Sequence, residues 1–201
     1  MTIQAKGILL GAAIAAFMLP AIAQTSSSDA KPATVQQRKE NQQDRIANGV
    51  ENGQLTAGET NNLERKEAGI NHETRDMRED NGGKLTPADR AKINRQQNRL
   101  SGQIYRDKHN AAVQNTNPRT EVGRRQRNQQ ERIGQGIQSG QLTAGETAHL
   151  ERREAAVNHE IHNERAANGG HLTPAERAQV NRQQNRTSRQ IYREKHNGRH
   201  Q

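Results

Sequence analysis

The sequence predicts an all-α protein built as a tandem duplication of a three-helix unit. Three observations predict it. First, aligning Asn41 with Asn128, an offset of 128 − 41 = 87, matches the chain to itself without a gap as far as Asn110 and Asn197, with roughly two thirds of the positions identical. Second, apolar residues recur at spacings of three, four and seven, and strict alternation is absent, which is the period of a helix and not of a strand. Third, a Gly-x-Leu-Thr-x-x-acid phrase occurs four times, as "GQLTAGE" twice, "GKLTPAD" and "GHLTPAE". Thr-x-x-acid is a capping box, in which the hydroxyl and the carboxylate each satisfy a backbone amide that the first turn leaves open.

The elements follow in chain order. Residues 1–23 read as a secretory signal peptide: Lys6, an apolar run to Leu19, Pro20, and small residues at Ala21 and Ala23. The run is too short for an ordinary membrane span. A polar stretch, 24–37, leads to the first repeat at 38–110. Helices are expected at 38–52, 57–80 and 87–109. Leu63 and Ile70 mark the second, and Ile93 and Leu100 the third. Residues 111–124 read as a linker because they are polar, contain Pro118 and show no period. The second repeat, 125–197, carries helices at 125–139, 144–167 and 174–196, and 198–201 form a tail.

At the corners, Thr56 with Glu59, Thr86 with Asp89, Thr143 with Glu146 and Thr173 with Glu176 are the expected caps. Pro87 and Pro174 sit at the first helical position, where a missing amide costs nothing. The glycines before them suit the left-handed residue that ends a helix.

The corners resemble three known patterns. The Leu-Thr-x-x-acid phrase is similar to the LTxxQ signature of periplasmic Spy/CpxP-type proteins, although an acid stands where those have Gln. It also resembles SHOCT-type helical hairpins. With glycine as sixth residue and the acid as twelfth, the corners look like degenerate EF-hand loops. Their first halves depart from that pattern, with Arg78 and Arg165 where calcium wants a carboxylate. The repeat as a whole resembles an exported bacterial family of helical repeats. The Spy/CpxP resemblance implies a small exported helical chaperone or stress protein.

Composition bounds the chemistry. Apolar residues make up 29% of the chain, and there is no cysteine and no tryptophan. Such a chain builds a thin core without disulfides. No nucleophile motif, phosphate loop or cofactor motif is present, so no enzyme activity and no cofactor are expected. The acids of "ERKE" and "ERRE" read as a solvated, ion-paired helix face. His159 and His162 stand on adjacent turns and are candidate ligands for a divalent metal.

The net charge of +9 points to polyanions. On the third helix of the second copy Arg182, Arg186, Arg189 and Arg193 fall within about 60° of one another at helical pitch. The first copy keeps Arg95, Arg99 and Arg106. The leading expectation is an exported, non-enzymatic protein, periplasmic or secreted. It binds anionic envelope polymers or acidic protein segments through these arginines, can self-associate, and recognises no specific nucleic acid. A chaperone and a metal-binding protein are the alternatives.

Overall fold

A computed structural model describes residues 33–114 and 116–201. The expected signal peptide and the stretch to residue 32 lie outside them. The described residues form six helices and no strand: α1 (Val35–Glu51), α2 (Ala57–Asp80), α3 (Pro87–Lys108), α4 (Glu121–Gln138), α5 (Ala144–Ala167) and α6 (Pro174–Lys195). None is long and apolar enough to cross a membrane.

The four corners form from local hydrogen bonds. Each of α2, α3, α5 and α6 opens on a complete capping box, at Thr56/Glu59, Thr86/Asp89, Thr143/Glu146 and Thr173/Glu176. Gly53, Gly83, Gly140 and Gly170 all have positive φ, which lets the chain reverse between helices without steric cost. The corner leucines then dock on the preceding helix. A Cβ on Gly49 would lie 2.7 Å from Leu55, and one on Gly136 2.6 Å from Leu142, so only glycine admits them.

Two helix starts fall earlier than the spacing indicates. α1 begins at Val35, not 38, because Thr34 and Gln37 form a further capping box. α4 begins at Glu121, not 125, on the Thr120 hydroxyl. The segments that follow α3 and α6 are tied down as well. Gln114 N donates to Gly53 O (3.0 Å), and Gln201 N donates to Gly140 O (3.2 Å).

Within each half the third helix packs on the first two. Between halves, α1 packs on α4 and α2 on α5. The start of α5 borders the second half of α2, and the start of α2 borders the second half of α5, so these two run antiparallel. A single apolar cluster crosses the seam and includes Ile46, Leu63 and Ile104 from one half and Ile133, Leu150 and Ile191 from the other. Glutamine supplements this thin core. Gln42 Nε2 donates to Gln97 O (2.6 Å), and Gln129 Nε2 to Gln184 O (2.8 Å). Gln97 and Gln184 in turn donate to Val35 O and Val122 O. Each such bond joins a side chain to the backbone of another helix and satisfies a buried carbonyl.

Candidate functional site

α3 and α6 lie on the outside of their halves. Ile93, Leu100 and Ile104 on α3 face the core, as do Val180 and Ile191 on α6. Helical pitch therefore turns the opposite faces to solvent, and Arg95, Arg99, Arg106, Arg182, Arg186, Arg189 and Arg193 are all exposed. Among the described residues, none of the seven makes an ion pair or a side-chain hydrogen bond. Their charge is not consumed within the fold.

The arginines are accompanied by aromatic rings. Tyr105 and Tyr192 are each 60% exposed. Each stacks on the histidine one turn later, with centroids 4.2 Å apart, and His109 and His196 donate Nδ1–H to the tyrosine carbonyls. On the second half Arg186, Arg189, Arg193 and Tyr192 line an open groove of about 540 Å³, which Arg153 of α5 joins. Spacing along one helix could not place Arg153 there, because it comes from a neighbouring helix.

The two faces are not equal. Gly102 stands in α3 where α6 has Arg189, 87 residues on. Lys66, the counterpart of Arg153, is hydrogen-bonded to Gln103. The neighbouring groove on the first half also holds Glu73, which pairs with Lys92.

The corner acids are already engaged. Glu59 Oε2 accepts from Thr56 N and Oγ1, and Oε1 accepts from Asn110 Nδ2. Glu146 repeats this with Thr143 and Asn197. A calcium loop would need that carboxylate turned to the ion. His159 and His162 are both exposed, and His159 Nδ1 lies 3.1 Å from Asn163 Nδ2. Among the described residues no three His, Asp or Glu side chains gather in a way that could hold a metal ion.

One sequence expectation is corrected. In "ERKE" and "ERRE" the acids are not on a solvated face. Glu64, Glu67 and Glu151 are 0% exposed and Glu154 is 1%, while Arg65, Lys66, Arg152 and Arg153 are exposed. The reason is register. Glu64 and Glu67 share the face of Leu63 and Ile70, and that face meets the other half. Burial pushes the Glu64 carboxyl up to about 8, against the bond from Gln43 Nε2 (3.2 Å), and the Glu67 carboxyl up to about 7 against the charge of Lys39. Burial raises Glu154 to about 8 and Glu151 well above the usual range, with Glu154 and Glu64 as like charges near Glu151. The spacing of these acids with Leu63 and Ile70 was the available signal.

No protein-family model, no curated protein and no solved structure matches this chain.

Proposed function

We propose that this is an exported, non-enzymatic protein that binds anionic polymers of the cell envelope, or acidic protein segments, through the arginine faces of α3 and α6. The observation that carries the reading is that seven arginines are exposed without a carboxylate partner among the described residues. A guanidinium that merely stabilises a helix surface commonly pairs with an acid three or four residues away. Here no acid stands three or four residues from any of the seven. The free guanidinium forks suit the carboxylate, sulfate or phosphate groups of a polyanion.

A chaperone reading would need an exposed apolar cradle. The apolar sides of α3 and α6 are turned into the core, and Tyr105, Val113 and Tyr192 are the exposed large apolar residues among those described. The charged faces therefore favour polymer binding over apolar client capture.

The test is binding of the mature protein to heparin and to vesicles rich in anionic lipid, over a range of salt. Affinity should fall steeply with salt, as counterions are released from the polymer. Arg182, Arg186, Arg189 and Arg193 changed together to Gln should leave helicity unchanged, since Gln is a comparable helix former. Binding should weaken sharply and the salt slope should shrink. Equal binding by wild type and variant would refute the proposal.

A further inference from the structure

α3 and α6 lie on opposite sides of the molecule. Among the described residues α3 packs on α1 and α2 and on no helix of the second half, and α6 packs on α4 and α5 and on no helix of the first. α1 and α2 meet α4 and α5 at the seam, so two layers of helices separate α3 from α6. Each step between packed helices spans about 8–10 Å, which places the two outer axes roughly 25–30 Å apart. The buried sides of both helices face inward, and the two arginine faces therefore point away from each other.

The seam holds that spacing. One apolar cluster runs through both halves. Gln201 adds a bond across it. Its counterpart 87 residues earlier, Gln114, accepts from Ala57 N (3.1 Å) inside its own half. Gln201 Nε2 instead donates to Gln43 Oε1 of α1 (2.6 Å), and also to Leu142 O (2.8 Å). The faces cannot swing together onto one strand while the seam is closed. Their separation also exceeds the Debye length, about 8 Å at physiological ionic strength, so each face attracts a polyanion on its own. A strand lying along one face leaves the other open to a second strand. Each face also offers a ring. Tyr105 and Tyr192 are held by stacking on His109 and His196 and stay largely exposed beside Arg106 and Arg193. A ring with an apolar body and a polar tip suits the flat side of a sugar. The guanidinium forks suit the acid groups that the sugar carries. A nucleic acid strand would call for several stacking rings along one groove.

On the reading of the arginine faces as polyanion sites, we propose that the protein bridges two strands of an anionic polysaccharide, one held on α3 and one on α6. The two sites are unequal. α6 has Arg189 where α3 has Gly102, and Arg153 joins its groove while Lys66 is tied to Gln103. The α6 face fills first, and the α3 face catches the second strand.

A sandwich assay tests the bridge. Heparin fixed to a surface is loaded with the mature protein and then offered soluble, labelled heparin. Isothermal titration with a heparin tetrasaccharide, too short to reach both faces, counts the sites separately. Two equivalents of tetrasaccharide should bind, the tighter one on α6, and the loaded surface should capture the labelled chain. One variant changes Arg182, Arg186, Arg189 and Arg193 to Gln, and a second changes Arg95, Arg99 and Arg106 to Gln. Circular dichroism should show both as helical as wild type. Each should bind one equivalent of tetrasaccharide and still load the surface. Capture of labelled heparin should fall more than about tenfold in each, because only one strand can be held. A self-associated protein would bridge through either face alone, so undiminished capture by either variant would overturn the proposal. A single equivalent of tetrasaccharide on wild type, or two without capture, would overturn the bridge and leave an arginine face standing as a polyanion site. No tetrasaccharide binding would overturn the reading of the faces and the bridge with it. Capture of polyphosphate, which has no sugar ring, as strongly as heparin would overturn the assignment to a polysaccharide.

Discussion

The two ends of the seam share a plan and differ in charge. At one end the start of α5 meets Lys39, Arg75 and Arg78; at the other the start of α2 meets Gln126, His162 and Arg165. The first has an open amide at Ala144, and the second has Ala57 N closed by Gln114. The outer faces differ too, with Arg189 on α6 where α3 has Gly102. By contrast, the corners, the glutamine staples and the buried acids are the same in both halves. The capping residues of α2, α3, α5 and α6 recur at the 87-residue offset, whereas Gln126, His162 and Arg189 stand in place of Lys39, Arg75 and Gly102. The difference locates where the halves are free to act differently.

Separating the halves gives the largest expected effect. Residues 119–201 alone would expose the faces of α4 and α5 that α1 and α2 cover, including Ile133, Leu150 and Glu151. Ordering costs roughly 1.5 kcal/mol per residue, and half of so thin a core does not offset it. Circular dichroism of this fragment at micromolar concentration should show partial helicity that rises on adding 33–118. A sharp, concentration-independent melt of the fragment alone would show two self-sufficient halves.

Next in size is the pH dependence that the buried acids impose on both halves. Carboxyls raised in the folded state stabilise fully below their unfolded pKa, near 4.3, and that stability is lost as pH rises through the folded values. For Glu67, Glu64 and Glu154 these values are about 7, 8 and 8, so the loss should begin near the unfolded pKa and be complete at mildly alkaline pH. Each such carboxyl shifts stability by roughly 4–5 kcal/mol between the unfolded pKa and its folded value. The melting temperature should drop over this range, and Glu64→Gln with Glu151→Gln should flatten the drop. A melting temperature that rises from mildly acidic to mildly alkaline pH would contradict this.

The corners sharpen the comparison on a smaller scale. Thr173→Ala with Glu176→Ala should cost about 1–2 kcal/mol through loss of the capping box. Glu146→Ala should cost more than Glu176→Ala: each acid also accepts from an asparagine, Asn197 or Asn168, but Glu146 is buried and lies 3.9 Å from Arg199. Urea melts of the single variants compare them. Calcium should leave the melting of the intact protein unchanged.

The smallest effect concerns α3. Gly102→Ala should stabilise the first half by about 0.5–1 kcal/mol, because alanine is the better helix former. A Cβ there meets only the mobile end of Arg106, at 3.4 Å. Thermal melts should show a small rise.

What the sequence by itself determined is local. Helix period, the Thr-x-x-acid caps and the corner glycines act within four residues, so the all-α class and the bounds of α2, α5 and α6 could be read directly. The arginine faces of α3 and α6 were legible for the same reason, being set by pitch along one helix. α1 and α4 were placed late because Thr34 and Thr120 lie in polar stretches without an apolar period. Tertiary structure decided the rest. Whether Glu64 and Glu67 face water or another helix depends on which side of α2 meets α5, and an acid beside a base looks the same in sequence either way. Arg153 joins Arg189, and Lys39 and Arg75 meet the first turn of α5, only because helices far apart in the chain pack together. The side chain of Gln201 turns away from Ala144 because Gln43 and Leu142, 158 and 59 residues distant, offer it better acceptors.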